Sequence, residues 1–282
     1  MISAENRDAI RLYGGDIRIR DEEGIVCNRE SLDNVYGDEN LYKTINVLLF
    51  PGITNEYDRV FKEESSLNEA FVERIEETIK IYLNIFQAMC ENRKEDCEGI
   101  VTAYRVEREG AINALKEGKT KSFLSASLTN YDDTFAEKSS IVLVKLHMLR
   151  QVPYIDFHKV LQNEYQNVEE QEVLIAPFID VELREMALTM DEKNSMQDMN
   201  GNPPVRKYYM YVAQFTPSAT SHDKSELLKW IVSNRKVAVD AINAMNRGEW
   251  DRDFEQYLKW KGCLQMYLYQ ELSDLWNKVL AE

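Results

Sequence analysis

The chain has 282 residues, 44% of them hydrophobic and 29% charged, with 34 basic against 49 acidic side chains and a net charge of −15. That is size enough for one large domain or a domain with a subdomain, and the acidic excess argues against attraction to a phosphate backbone, so no nucleic-acid partner is expected. No stretch of uncharged apolar residues reaches the length of a bilayer span, and Met1-Ile2-Ser3-Ala4-Glu5 lacks the basic, then apolar, start of a secretory signal, so no membrane partner and a cytoplasmic location are expected.

Residues 5–13 read as a short helix stopped by Gly14-Gly15. Ile17 and Ile19 alternate with Arg18 and Arg20 before the turn-like Asp21-Glu22-Glu23-Gly24, and Ile25-Val26-Cys27 follows, which is a small hairpin pattern. Residues 38–50 look helical and end before Pro51-Gly52. Ser66-Leu67-Asn68-Glu69 is a capping-box sequence, a serine with a glutamate three places on, and opens the clearest helix of the chain. Its apolar positions Leu67, Phe71, Ile75, Ile79, Tyr82, Phe86 and Met89 form one continuous face, and the charged run from Glu91 to Glu98 reads as a solvated connector that ends it.

From Gly99 the period shortens. Residues 100–106 have strand composition, 108–117 look like a short helix, and Ser122 to Ser127 returns to an extended form. Ser139 to Met148 is a buried-strand sequence, Val152 to Val160 holds another short extended piece, and Asn200-Gly201-Asn202-Pro203-Pro204 is a turn or exposed loop before the aromatic strand Lys207 to Phe215. Ser221 to Arg247 and Asp251 to Leu280 read as two long helices, the second with a stripe of Phe254, Leu258, Leu264, Leu268, Leu272, Leu275 and Val279. Cys27, Cys90, Cys97 and Cys263 are scattered, with no Cys-x-x-Cys, so reduced thiols are expected rather than a disulfide framework or a zinc site. His147, His158 and His222 are too dispersed for a metal or nucleophile constellation, and there is no Gly-x-Gly-x-x-Gly or phosphate-loop Gly-Lys-Ser/Thr.

The stretch Asn167-Val168-Glu169-Glu170-Gln171-Glu172-Val173-Leu174-Ile175-Ala176-Pro177 sets three carboxylates against an apolar run closed by proline. Read as a strand, it places Glu170 and Glu172 on one face and Glu169 and Gln171 on the other. Taken alone, the cluster fits a solvated edge, or a hard-cation site through Glu169, Glu170 and Glu172, although further carboxylate ligands at loop spacing are missing. A lone strand arginine such as Arg105 is by itself usually a surface or ion-pairing residue.

In order along the chain stand Tyr104-Arg105 on a strand, Phe123-Leu124-Ser125-Ala126-Ser127, and Glu170-Gln171-Glu172-Val173-Leu174-Ile175-Ala176-Pro177. This ordered set resembles the Arg-Ser-Glu class of mono-ADP-ribosyltransferases of the bacterial toxin and effector type, whose pattern is a strand arginine, a Ser-x-Ser strand, and Glu-x-Glu before an apolar run and proline. The resemblance spans Gly99 to Pro177, with weaker echoes at Ala9 to Tyr13 and Tyr42 to Asn46. Two positions depart from the pattern: Val106 follows the arginine where the family commonly has glycine, and Ser-Ala-Ser replaces Ser-Thr-Ser.

The resemblance implies an α+β fold, an ADP-ribosyltransferase-like core of two packed β-sheets flanked by helices, and it does not explain the helices from Ser221 onward, which are expected as a C-terminal helical extension. The expected organisation is a catalytic domain over residues 1–218, with a helical part at 1–98 and a β-rich core at 99–218, followed by the extension at 219–282. The resemblance also implies transfer of ADP-ribose from NAD, as co-substrate and without metal, to a protein acceptor. Glu172 is then the carboxylate facing the ribose, Ser125 its orienting partner, and Arg105 the holder of a NAD phosphate, with Tyr104 and Ser127 beside them in the NAD pocket. Glu170 would activate the acceptor, and a glutamate there implies arginine as the target; Tyr165 lies where the family has a substrate-recognition turn. Hydrolysis of NAD by water, and a non-catalytic interaction module using the acidic face and terminal helices, are the alternatives. The family setting adds delivery into a target cell's cytosol without a classical signal as a second location, and a partner or antitoxin on the C-terminal helices as a possible contact.

Overall fold

The computed structural model describes residues 2–14, 19–21, 24–26, 45–46, 70–95, 101–108, 112–113, 115–120, 122–129, 141–149, 152–161, 171–198, 200–247, 249 and 254–281. The capping box at residues 66–69, most of the helix expected over 38–50, Glu169, Glu170 and Tyr165 lie outside them. The described residues form an α+β structure in two compact units, one made of residues 1–90 and 217–282 and the other of residues 91–216. These units group the chain differently from a linear boundary at 218/219, because the C-terminal helices share a core with the N-terminal ones.

In the first unit, α1 (Ala4–Gly14) starts where the Ser3 hydroxyl accepts from the Asn6 amide at 3.1 Å, a serine N-cap that the sequence alone did not flag. Ala9, Ile10 and Tyr13 form its buried face. The hairpin expected near residue 20 is present as β1 (Ile19–Asp21) against β2 (Gly24–Val26), antiparallel. After the single turn α2 (Ala70–Glu73) comes α3 (Ile75–Glu95), on which Ile75, Ile79, Tyr82, Phe86 and Met89 are buried as the periodicity requires. The helix runs on into the charged stretch that was expected to end it.

At the C-terminal end, the single helix expected over 221–247 is two helices, named here by their place after those of the second unit. A break at Asn234 (φ −105°, ψ 9°) separates Lys224–Ser233 from Arg235–Asn246, and the Asn234 side chain donates to the Trp230 carbonyl at 2.7 Å. Asp223 caps the first of them by accepting from the amides of Ser225 and Glu226. Both pack on the long last helix, Phe254–Ala281, whose buried face includes Tyr257, Trp260, Leu264, Leu268, Leu272 and Trp276. The expected stripe holds Leu264, Leu268 and Leu272 but missed Tyr257, Trp260 and Trp276, large aromatics that are buried beside them. Trp276 meets Phe86 edge-on with ring centroids 6.5 Å apart, joining the last helix to α3.

The second unit is built on a seven-stranded mixed sheet. Its strands are β3 (Val101–Arg108), β4 (Leu124–Ser127), β5 (Ile141–Met148), β6 (Tyr154–Asp156), β7 (Glu172–Ile175), β8 (Ile179–Met186) and β9 (Arg206–Phe215), in spatial order β6-β7-β4-β3-β5-β9-β8. Among the described residues only β5 and β9 run parallel. The sheet narrows between β4 and β3, where a single residue pair, Tyr104 opposite Ser127, is in register. This divides it into a three-stranded part, β6-β7-β4, and a four-stranded part, β3-β5-β9-β8. Among the described residues, the short helices α4 (Phe157–Leu161) and α5 (Met190–Ser195) lie in the connections; the helices 224–233, 235–246 and 254–281 are therefore α6, α7 and α8. Helix α5 carries a full capping box between Thr189 and Glu192. Burial works to raise the Glu192 pKa, but hydrogen bonds from Lys207 and Thr189 outweigh it and hold the carboxyl below its usual range. Between β8 and β9, Met196 is buried against Val106 and Leu143, whereas Met190 is 68% exposed.

One turn fixes how the chain enters β4. Gly118 has φ +86°, in the left-handed region, and the backbone beyond it docks on the β7–β8 turn, with Thr120 donating to the Ile179 carbonyl at 2.8 Å and accepting from the Phe178 amide at 2.9 Å. A Cβ on Gly118 would find its nearest atom, the Val181 carbonyl oxygen, at 3.9 Å, so the cost of a side chain is backbone strain and not a clash. Gly118→Ala is therefore expected to lower stability by about 1 kcal/mol, read as a lower denaturation midpoint at unchanged m-value. An unchanged midpoint would mean that the turn relaxes freely.

Candidate active site

The site is assembled from three neighbouring strands. β3 carries Arg105, β4 carries Ser125 and Ser127, and β7 begins at Glu172. β4 lies between the other two, with Ser127 opposite Glu172 and Ser125 opposite Leu174. Ser125 is thus diagonal to Glu172, within reach of a long side chain on the same face, and its hydroxyl donates to the Glu172 carboxylate. On the other side of the strand, the Ser125 main-chain oxygen accepts from the Arg105 guanidinium. Ser125 therefore touches both, one through its side chain and the other through its backbone.

Arg105 sits where the β3–β4 ladder has given out beyond the Tyr104–Ser127 pair. Its Nη1 reaches across the gap to β4, and its Nε donates to Glu107, two residues on along the same face of β3. The Arg105 side chain retains 20% of its exposure and that of Glu107 10%, so the pair is largely withdrawn from water. Arg105, Ser125 and Glu172 are partly buried. Ser127 is 8% exposed, and its hydroxyl is engaged with Thr129, 2.7 Å from Thr129 Oγ1 and accepting from the Thr129 amide at 3.1 Å. Ser127 thus lies beside Glu172 in register while its hydroxyl serves the strand end.

Tyr104 projects from the face of β3 opposite to Arg105. It pairs in register with Ser127 on one side and Lys145 on the other, and the Lys145 ammonium stands 5.6 Å from its ring centroid. Register continues this row from Lys145 to Tyr209 and Arg184, so one line of paired positions crosses the sheet from Glu172 through Ser127, Tyr104, Lys145 and Tyr209 to Arg184. Next to that line His147 stacks on Tyr209 at 4.4 Å and is hydrogen-bonded to its hydroxyl. Burial, then the Lys145 ammonium, pushes the His147 pKa down. It behaves as the satisfied strand histidine that its apolar setting implies.

The strand β7 starts at Glu172 and not at Glu170, and Gln171 just before it has φ +42°. A residue in the left-handed region is outside the extended backbone of a strand, so the regular alternation of β7 begins at Glu172. The turn at Gln171 is tied to β4 by the Leu128 amide, which donates to the Gln171 carbonyl at 3.0 Å. Glu170 and Tyr165 lie outside the described residues, so the structure brings together Arg105, Ser125, Ser127 and Glu172 and sets Tyr104 next to them in register. Glu107 is the functional candidate that the sequence reading passed over; its position two residues after a strand arginine was the available signal. Among the described residues there is no group of three or more His, Cys, Asp or Glu side chains placed to hold a metal ion. Nor, among them, is any helix long and apolar enough to cross a membrane.

Among solved structures, the catalytic domain of VsdC from Aeromonas hydrophila is similar to this chain at 14% identity, covering 74% of this chain and 100% of that one with a TM-score of 0.32. An ADP-ribosylating toxin, BECa of a binary enterotoxin of C. perfringens, solved with NADH, is similar at 14% identity over 93% of this chain with a TM-score of 0.35. This chain spans 64% of that toxin chain. The catalytic domain of VahC from Aeromonas hydrophila is similar at 14% identity, with 75% of this chain and 100% of that one covered and a TM-score of 0.31. No family model and no curated protein matches the sequence. Likenesses this loose assign no residue a role.

Proposed function

We propose that this chain is a mono-ADP-ribosyltransferase that moves ADP-ribose from NAD to a protein side chain, arginine being the acceptor, with release of nicotinamide. The observation that carries the reading is the contact chain at β3, β4 and β7: Arg105 held by the Ser125 backbone, and the Ser125 hydroxyl on the Glu172 carboxylate. Residues separated by up to 67 positions in the sequence are thus joined through Ser125, which supports this reading. A solvated acidic edge would need none of these contacts.

The chemistry matches the residue types. Cleavage of the bond between nicotinamide and ribose sends the bonding electrons to nicotinamide and leaves positive charge on the sugar. Glu172 would meet that charge as it develops, stabilising the transition state more than the ground state. The hydrogen bond from Ser125 fixes which way the carboxylate points, so little reorganisation is needed at the moment of bond breaking. Arg105, planar and permanently charged, would hold a phosphate of NAD. Ser127 and Tyr104, in one registered row with Glu172, would wall the NAD pocket on the Glu172 side, Glu170 would accept the proton lost by the attacking arginine nitrogen, and Tyr165 would guide the acceptor.

The test is mass spectrometry of proteins from an extract incubated with NAD and the purified chain. ADP-ribose on arginine is the expected result, and Glu170→Ala is expected to lose transfer to protein while retaining release of nicotinamide to water. Modification of another residue type would overturn the acceptor assignment. Nicotinamide release without any labelled protein, by the unaltered chain, would make the activity a NAD glycohydrolase. Parallel loss of both activities in Glu170→Ala would overturn its separate role.

A further inference from the structure

We infer that Glu107 is a positioning residue for Arg105, setting the guanidinium in the orientation in which it meets the phosphate of NAD; the inference rests on the transferase reading. The Glu107 carboxylate is hydrogen-bonded to Arg105 Nε, and its side chain retains only 10% of its exposure. A carboxylate is seldom buried to this degree unless it is paired, and the partner here is the one cation of the proposed constellation. Val142, directly opposite Glu107 in β5, and Val144, opposite Arg105, are both 0% exposed, so an apolar strand lines the pair on that side.

Geometry gives Glu107 its reason. β4 and β3 share a single registered pair, so backbone hydrogen bonds do little to set the separation of Arg105 from Ser125. Among the described residues the guanidinium is held at Nε by Glu107 within its own strand and at Nη1 by the Ser125 oxygen in the next. Two anchors on a planar fork define its plane, which one anchor does not. Glycine commonly follows the arginine in the family pattern, whereas here Val106 does, 0% exposed and packed with Leu143 and Met196 on the other face of β3. Val106 pins the strand from one face and Glu107 pins the arginine on the other.

The experiment is steady-state release of nicotinamide from NAD by the purified full chain, with the variants Glu107→Gln, Arg105→Ala and the double variant. Far-UV circular dichroism and a thermal melt of each variant establish that it is folded. Glu107→Gln is expected to raise KM for NAD on the order of tenfold, the worth of one charge-assisted hydrogen bond, with kcat within about twofold. The double variant is expected to be no worse than Arg105→Ala alone, since Glu107 acts only through Arg105. An unchanged KM in Glu107→Gln overturns the inference, as does a lowered KM, which would make Glu107 a competitor of the phosphate. Losses that add in the double variant also overturn it, because they would show an effect independent of Arg105. A wild-type chain that releases no nicotinamide overturns the transferase reading itself, which separates the two failures.

Discussion

Glu172→Gln is expected to lower nicotinamide release from NAD by about 10³-fold, the scale on which removing a single preorganised electrostatic group slows an enzyme. The substitution keeps the shape of the side chain, and its amide oxygen can still accept from the Ser125 hydroxyl, which donates to the carboxylate in the native site. What it removes is the negative charge that the proposed reaction sets against the sugar. Because that charge would act on the transition state, the loss is expected in kcat more than in KM for NAD. A thermal midpoint close to that of the wild type would show that the fold is intact. Nicotinamide release within tenfold of wild type would place the catalytic charge elsewhere.

Trp260→Ala is expected to cost about 4 kcal/mol of stability, the usual scale for emptying a large aromatic site in a core. Trp260 is 0% exposed on α8, and its indole N–H donates to the Ile231 carbonyl of α6 at 2.9 Å. Ile231 lies in the last turn of α6, where main-chain oxygens lack partners within the helix, so the substitution removes apolar contact and a polar partner together. Trp260→Phe separates these contributions by retaining most of the ring and losing the donor, and should cost about 1 to 2 kcal/mol. Equilibrium denaturation at unchanged m-value measures both. A loss below about 1 kcal/mol for Trp260→Ala would mean that α6 and α8 do not share the core described.

Much of the fold was legible because its elements follow simple periods. On α3, Ile75, Ile79, Tyr82, Phe86 and Met89 recur at three or four residues, and all are buried. β5, β7 and β9 were visible as short runs rich in β-branched or aromatic residues between turn signals. The break at Asn234 was not, because Ser233-Asn234-Arg235-Lys236 is compatible with a continuous helix, and what ends α6 is the Asn234 side chain turning back to the Trp230 carbonyl. The run from Glu91 looked like a connector on charge alone. It stays helical to Glu95, and within it Asn92 is 6% exposed and donates to the Tyr154 carbonyl at 3.3 Å.

At the site, residue types and order pointed to Arg105, Ser125 and Glu172, and side-chain reach brings them together. Strand alternation could not give the local backbone. Gln171 at φ +42° interrupts the pleat just before Glu172, and a non-glycine residue in that region reflects its surroundings more than its identity. The Glu107 partner was within reach of the same alternation argument, since residues two apart on a strand share a face. It went unread because a charged residue on a strand is ordinarily a solvated one, and burial is a property of the assembled sheet.

The most direct measurement is the release of nicotinamide from NAD by the purified chain, followed by chromatography beside the Glu172→Gln variant. The account predicts turnover well beyond one nicotinamide per chain for the wild type and a rate about 10³-fold lower for the variant. Equal rates from the two proteins, or NAD left intact by the wild type, would contradict it.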